Sequence, residues 1–137
     1  MSFRKQFGID VKSSNEGVWV KYAGDVEFKI KYCKNKDTKK AMFDYLKKHN
    51  VLDITQLDTD SIIGLSPVLL STILVDWKGV KDDEGKEIPF SKENMTELLF
   101  EKQEEEYVFI KVLEFIQKQS ENSNLFSIGY TEKRLKN

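Results

Sequence analysis

The chain has 137 residues and a formal net charge of −1, with 22 basic residues against 23 acidic ones. Hydrophobic residues make up 39% of it and charged residues 33%, which is typical of one folded domain and excludes a wholly disordered chain. The charge balance supplies no overall field to attract a nucleic acid, and no apolar run reaches the roughly 18 residues of a membrane span. We therefore expect no nucleic acid and no membrane as partners.

Residues 1–16 are polar and predict a flexible N-terminal arm. Apolar and polar positions then alternate over residues 17–32, around a turn at Gly24-Asp25. This alternation predicts an antiparallel β-hairpin with one buried face. Two strands alone are marginally stable, so the hairpin must pack on helices or pair with another strand.

Helical patterns follow the hairpin. The first predicted helix begins at a cap near Asn35 or Asp37 and ends near Lys48. A long apolar helix is predicted from Asp60 to Trp77, restarted at Pro67 with that proline in its first turn.

Two further helices are predicted, from Ser91 through Phe100 and from Glu104 to Gln119. The predicted fold is therefore α+β and mainly α, with the hairpin packed on a bundle of about four helices in one globular domain of residues 17–120. Residues 121–137 are rich in Asn and Ser at first and predict a C-terminal tail that becomes ordered only with a partner.

The residue types needed for catalysis or metal binding are few. Cys33 is the single cysteine and His49 the single histidine, so an internal disulfide and an ordinary zinc site are excluded. The acidic run at residues 82–84 lacks the spacing of a calcium loop and favours a solvated turn. No nucleophile motif accompanies His49. We expect no catalytic residue, no cofactor and no metal, and a protein that is not an enzyme.

Charge is unevenly distributed along the chain. Residues 29–48 hold eight Lys against two Asp, whereas residues 82–106 hold ten acidic residues against three Lys. This polarity can be satisfied within one molecule or head to tail between copies, so self-association is a further expectation.

The segment after the long apolar helix carries a recognisable order of motifs. Trp77-Lys78-Gly79 is followed by an acidic-glycine turn at Asp83-Glu84-Gly85 and by the helix start Ile88-Pro89-Phe90-Ser91. Together with the hairpin that begins at Gly17-Val18-Trp19, this order resembles the tail assembly chaperones of long-tailed bacteriophages and prophages. The resemblance covers most of residues 16–120.

The resemblance implies a chaperone that binds the tape measure protein, helps to recruit the tail tube protein and then leaves. Such a protein acts in the host cell cytoplasm and is absent from the mature virion. One alternative is a structural tail protein, a terminator or connector, that stays in the virion. Another is a small nucleic-acid-binding regulator that uses the lysines of residues 29–48.

Trp19 lies on the opposite strand face from the two valines beside it. It is exposed if those valines face the core, and buried if a second layer covers it. We expect partner contacts on the outer face of the hairpin and in the tail, at Trp19, Lys21, Lys29, Lys31, Leu125, Phe126 and Tyr130.

Overall fold

The computed structural model describes residues 2–136. Within these residues the fold is mixed α/β, 55% helical, with seven α-helices and a small antiparallel sheet. The mixed class agrees with the prediction. The bundle of about four helices is not confirmed, because part of the long apolar segment is a strand and the helices pack on a sheet.

The sheet has three strands, β1 (Val18–Ala23), β2 (Val26–Ile30) and β3 (Leu74–Lys78), in the order β1-β2-β3. Both pairings are antiparallel. The hairpin lies where the alternation predicts it, and its second strand gains a partner on its other edge. The third strand therefore supplies the additional packing that an isolated hairpin requires.

The prediction of a helix through Trp77 is wrong for its last turn. Helix α4 (Thr59–Ile73) ends before β3, and Trp77 lies opposite Phe28 in the sheet. Pairing with β2 leaves Trp77 only 5% exposed. It also gives the backbone N–H and C=O groups of the two strands hydrogen-bond partners. Pro67 lies inside α4, so the predicted restart is also wrong.

The turn after β3 depends on Gly79, which has a φ of 73°. A Cβ atom at this position would collide with the carbonyl oxygen of Asp25 in the β1–β2 turn. Gly79 thus lets the chain pass close to the hairpin, and the indole N–H of Trp77 then donates to the Ile88 carbonyl at 2.7 Å.

Helix α3 (Lys36–Lys48) packs on α4. Its cap is Asn35, whose side chain accepts from the Thr38 N–H at 2.9 Å and is itself buried. The Thr38 and Thr72 hydroxyls lie 2.7 Å apart, and the Tyr45 hydroxyl donates to the Ser61 carbonyl at 2.6 Å. These contacts hold the two helices side by side.

Helix α5 (Lys92–Leu99) begins at its Ser91 cap, as predicted. The last helix of the predicted globular domain, α6 (Ile110–Glu121), begins six residues later than expected from the acidic run. Glu104 and Glu105 instead form the turn of a small hairpin, β4 (Lys102–Gln103) and β5 (Glu106–Tyr107). Both turn residues have positive φ, 51° and 69°.

The two ends of the chain pack together, which differs from the predicted arm and tail. Residues 2–16 contain α1 (Phe3–Phe7) and α2 (Val11–Glu16), and the C-terminal segment contains a 3₁₀ turn and α7 (Ile128–Lys136). The Asp10 N–H donates to the Phe126 carbonyl at 2.7 Å. Backbone hydrogen bonds in both directions thus join segments that look separately unstructured in the sequence.

The main core lies on one face of the three-stranded sheet. Its buried members come from the sheet and from α4, α5 and α6: Phe28, Ile30, Leu70, Ile73, Leu74, Trp77, Met95, Leu99 and Ile116. The sheet is therefore covered by helices on this face.

We predict that replacing the turn Glu104-Glu105 by Asn-Gly stabilises the protein. Two successive positive-φ residues match a type I′ turn, which Asn-Gly adopts with less strain. The free energy of unfolding should rise by about 1 kcal/mol, equivalent to a Tm rise of about 3 °C, measured by thermal unfolding. Glu106→Asn is the control at the next position, and an unchanged or lower Tm for the turn variant would contradict the assignment.

We also predict that Phe126→Ala loosens both ends of the chain. Phe126 is 0% exposed, and removing its ring leaves a cavity that costs about 3–5 kcal/mol. Amide hydrogen exchange in residues 2–16 should accelerate strongly, since these residues pack on the same segment. Tyr130→Ala, at a 38% exposed position, is the control; equal exchange in the two variants would show that Phe126 does not hold the termini together.

Candidate protein-binding site

An open, largely apolar cleft lies between α4 and α6, with Tyr107 of the β4–β5 hairpin in its lining. We call it the α4–α6 cleft. Its volume is about 440 Å³, and its apolar lining is Leu69, Leu70, Phe100, Tyr107, Ile110 and Leu113. The cleft is open to solvent, so its apolar lining is available to a partner.

Charged and polar side chains form the rim of the cleft. On α6, Glu114, Gln117 and Glu121 follow one another at spacings of three and four residues and therefore share a face. The Gln117 amide donates to the Glu121 carboxylate at 2.7 Å. Lys118 and Ser66 complete the polar lining. An apolar floor with a mainly acidic rim suits the apolar side of an amphipathic helix.

Three of the sequence-predicted contact residues, Trp19, Lys21 and Lys29, share the outer face of the sheet. Trp19 pairs with Lys29 across β1 and β2. The ammonium of Lys78 lies 4.1 Å from the centre of the Trp19 ring, a cation–π contact. Trp19 is half-buried, between the two outcomes that the sequence left open. The ring is partly accessible to solvent, and Lys21 beside it is exposed.

Lys31 does not belong to that open face. Its side chain is only 14% exposed, and its ammonium lies 2.7 Å from the carboxylate of Asp37 on α3. The hydrogen bond from Lys31 and its charge lower the pKa of Asp37 below its usual value. Lys31 therefore ties the end of β2 to α3, and little of its side chain is exposed for the predicted partner contact.

A second ammonium group lies close to this pair. Lys92 donates to the carbonyl oxygens of Ser71 and Leu74, the latter at 2.9 Å, where α4 gives way to β3. Burial lowers the pKa of Lys92, and the charge of Lys31 lowers it further. This cluster stabilises the α4–β3 junction.

The predicted tail contacts are divided. Phe126 is fully buried against Tyr32, with ring centres 5.2 Å apart, so it supports the fold and is not available to a partner. Leu125 is half-buried, and Tyr130 is 38% exposed with Arg134 over its ring at 5.5 Å. The structure places Leu125 and Tyr130 with the packed termini and Trp19 on the sheet, so the predicted contacts do not form one site.

Metal ligands do not cluster in the part of the chain that the structure describes. Residues 2–136 contain no group of three His, Cys, Asp or Glu that could hold a metal ion. Burial raises the pKa of Cys33, and the charge of Glu121 raises it further, so its thiol is less reactive than an exposed one. The carboxylate of Asp82 accepts from the Glu84 and Lys86 N–H groups, which makes the acidic run a turn.

Sequence reasoning missed the α4–α6 cleft. The apolar stripe of a predicted helix indicates a face buried in the core, yet Ile110 on α6 is 45% exposed. The sequence feature that could have indicated a cleft is the width of the apolar stripe on α6. The stripe has more apolar positions than a single buried face needs, so some of them remain outside the core. Recognising a cleft also required knowing that α4 and Tyr107 lie opposite that stripe.

Comparison with known proteins gives one family. A family model described as YdaY prophage protein matches residues 34–137, which include α3, α4, α6 and thus the whole cleft. No curated protein matches the chain at significant similarity, and neither does a solved structure. None of the helices in residues 2–136 combines the length and apolar character that a bilayer span requires.

We predict a pH dependence that comes from the Lys31–Asp37 pair. The pKa of Asp37 is lower in the folded protein than the unfolded-state pKa near 3.8. The ionised carboxylate therefore stabilises the fold fully above pH 3.8, and this stabilisation is lost as the pH falls through the folded-state pKa. Asp37→Asn should therefore lower Tm at neutral pH and converge with the wild type in strong acid. Asp44→Asn, which breaks an exposed pair with Lys40, should have a smaller effect. Parallel Tm curves at all pH values would contradict this role for Asp37.

Proposed function

The chain belongs to the YdaY prophage protein family, and from this premise we propose that it is a tail assembly chaperone that binds the tape measure protein. The proposal joins the family's prophage origin to the resemblance carried by the Trp77–Ser91 motifs. In this proposal the protein binds other proteins and catalyses no reaction. It acts in the host cell cytoplasm and is absent from the mature virion.

The α4–α6 cleft is the observation that carries this proposal. A tape measure protein is a long helical chain whose apolar stripes aggregate unless they are covered. A cleft between two helices with an apolar floor takes the apolar face of such a helix, in the manner of other helix-in-groove complexes. Ile110 and Leu113 on one wall and Leu69 on the other supply contacts for that face.

The rim supports reversible binding. Glu114 and Glu121 keep charge at the edge of the apolar floor, where it is hydrated in the free protein and can attract basic side chains of a client. A chaperone must release its client, so a small apolar contact with a charged rim fits the task better than a large dry interface.

The outer sheet face provides a separate surface for the tail tube protein. Trp19 is an amphipathic anchor that is already ordered by Lys78, and Lys21 and Lys29 lie next to it on the same face. Because this face belongs to β1 and β2 and the cleft to α4 and α6, the two partners contact different elements.

The test is co-expression with the tape measure protein encoded nearest to this chain. The wild-type protein should keep the tape measure protein in the soluble fraction and co-purify with it. Ile110→Asp places a charge in the apolar lining of the cleft and should reduce the co-purified amount at least about tenfold. Ile54→Asp is the matched control, since Ile54 is 43% exposed, close to the 45% of Ile110, and lies outside the cleft.

The outcomes separate the alternatives. Equal effects of the two substitutions, or an insoluble tape measure protein, would contradict the chaperone role. Stoichiometric amounts of the chain in purified tails, measured by mass spectrometry, would show a structural tail protein instead. Salt-dependent retention on random duplex DNA would support the nucleic-acid-binding regulator.

A further inference from the structure

Helix α3 carries a basic face with an aromatic residue at its centre. Lys36, Lys39, Lys40 and Lys47 lie three, four and seven residues from Phe43 and thus on the same side of the helix. All four lysines are exposed. Phe43 is 66% exposed, an unusual position for a large apolar ring in the middle of a well-formed helix.

The other side of α3 is the side that packs. Thr38 and Tyr45 contact α4 through the hydrogen bonds to Thr72 and Ser61. Phe43 therefore contributes little to the fold of a single copy. An exposed aromatic side chain ringed by long charged ones is typical of an interface anchor.

The α4–α6 cleft matches this face in polarity and in the sign of its charge. Its apolar lining can receive a phenyl ring, and the acidic side chains Glu114 and Glu121 lie at its rim. The charged residues that line the cleft are two Glu and one Lys, whereas residues 36–48 of α3 hold five Lys against two Asp. Opposite charges at the rim steer and orient a helix whose anchor enters the floor.

We propose that α3 of one copy docks with Phe43 in the α4–α6 cleft of a second copy. The two surfaces are different, so the contact is heterologous and leaves one free α3 and one free cleft at the ends of an open chain. The inference shares with the proposed function only the premise that the cleft binds a helix. It does not depend on what the client is.

When no tape measure protein is bound, the docked α3 of a second copy covers the apolar lining of the cleft. A helix of the tape measure protein and α3 of a second copy compete for the same cleft. Binding of the tape measure protein should therefore dissociate the head-to-tail assemblies of this protein. The contact between copies buries one ring and a few ion pairs, and it is accordingly weak and salt-sensitive.

A nucleic acid is the other class of partner that lysines on one helix face can bind. Asp37 and Asp44 interrupt the basic face, and Phe43 occupies its centre, where phosphate binding would favour another cation. These features favour a protein surface with an apolar pocket and an acidic rim.

Sedimentation velocity of the full chain tests the proposal. The wild type should self-associate in a concentration-dependent way at about 0.1 M salt and less at about 1 M, where the Debye length falls from about 10 Å to about 3 Å. Phe43→Gln should weaken self-association at least about tenfold. Phe3→Gln is the matched control, because Phe3 is 80% exposed on α1 and lies outside both surfaces.

A mixing experiment tests the head-to-tail geometry. Phe43→Gln leaves the cleft intact, and the double variant Glu114→Lys/Glu121→Lys leaves the α3 face intact. Each should be monomeric alone, and the mixture should form a one-to-one complex that does not grow further. Circular dichroism of both variants checks that their helices are retained.

Three results would overturn the proposal. They are a wild type that stays monomeric at low salt, equal behaviour of the Phe43 and Phe3 variants, and a mixture that forms no complex. Retention of random duplex DNA that depends on Lys39 and Lys40, without self-association, would assign the face to nucleic acid instead. A protein that self-associates but does not bind the tape measure protein would contradict the proposed function and would not contradict this inference.

Discussion

The pairing of β3 with β2 determines where the helices lie. Strand β3 begins at the residue directly after α4, so no loop separates the sheet from that helix. The Lys31 N–H donates to the Ile73 carbonyl at 2.8 Å, which continues the strand hydrogen bonds onto the last residue of α4. Lys92 then bonds to carbonyls of the same junction and brings the start of α5 to it. The positions of α4 and α5 are thus consequences of one strand register.

The binding surfaces follow from these positions. Helix α4 shares its buried side with the sheet core through Leu70 and Ile73, while Leu69 beside them reaches the cleft. The apolar surface that remains open there costs about 25 cal/mol per Å² while it stays in water. Covering this apolar surface releases that free energy and so favours binding. It favours both proposed occupants, a helix of the tape measure protein and α3 of a second copy.

Different parts of the candidate surfaces could be predicted from the sequence to different degrees. The strand alternation places Trp19, Lys21 and Lys29 on one face, and the structure has them there. Lys31 follows the same alternation, yet it turns to Asp37 because the helix after the strand folds back beside it. Local periodicity predicts the face of a strand, but it does not predict which distant element covers its end.

The sequence by itself determined the hairpin, the cap at Ser91, a helix start at Asn35 or Asp37, the mixed α/β class and the uneven charge, because each depends on neighbouring residues and short-range periodicity. Only the tertiary structure decided that Leu74–Lys78 is a strand, that the two termini pack together, and that α4, α6 and Tyr107 enclose a cleft. The physical reason is the same in each case. Strand pairing, terminal docking and clefts need partners far apart in the chain, and the local pattern of an apolar segment is compatible with more than one of them.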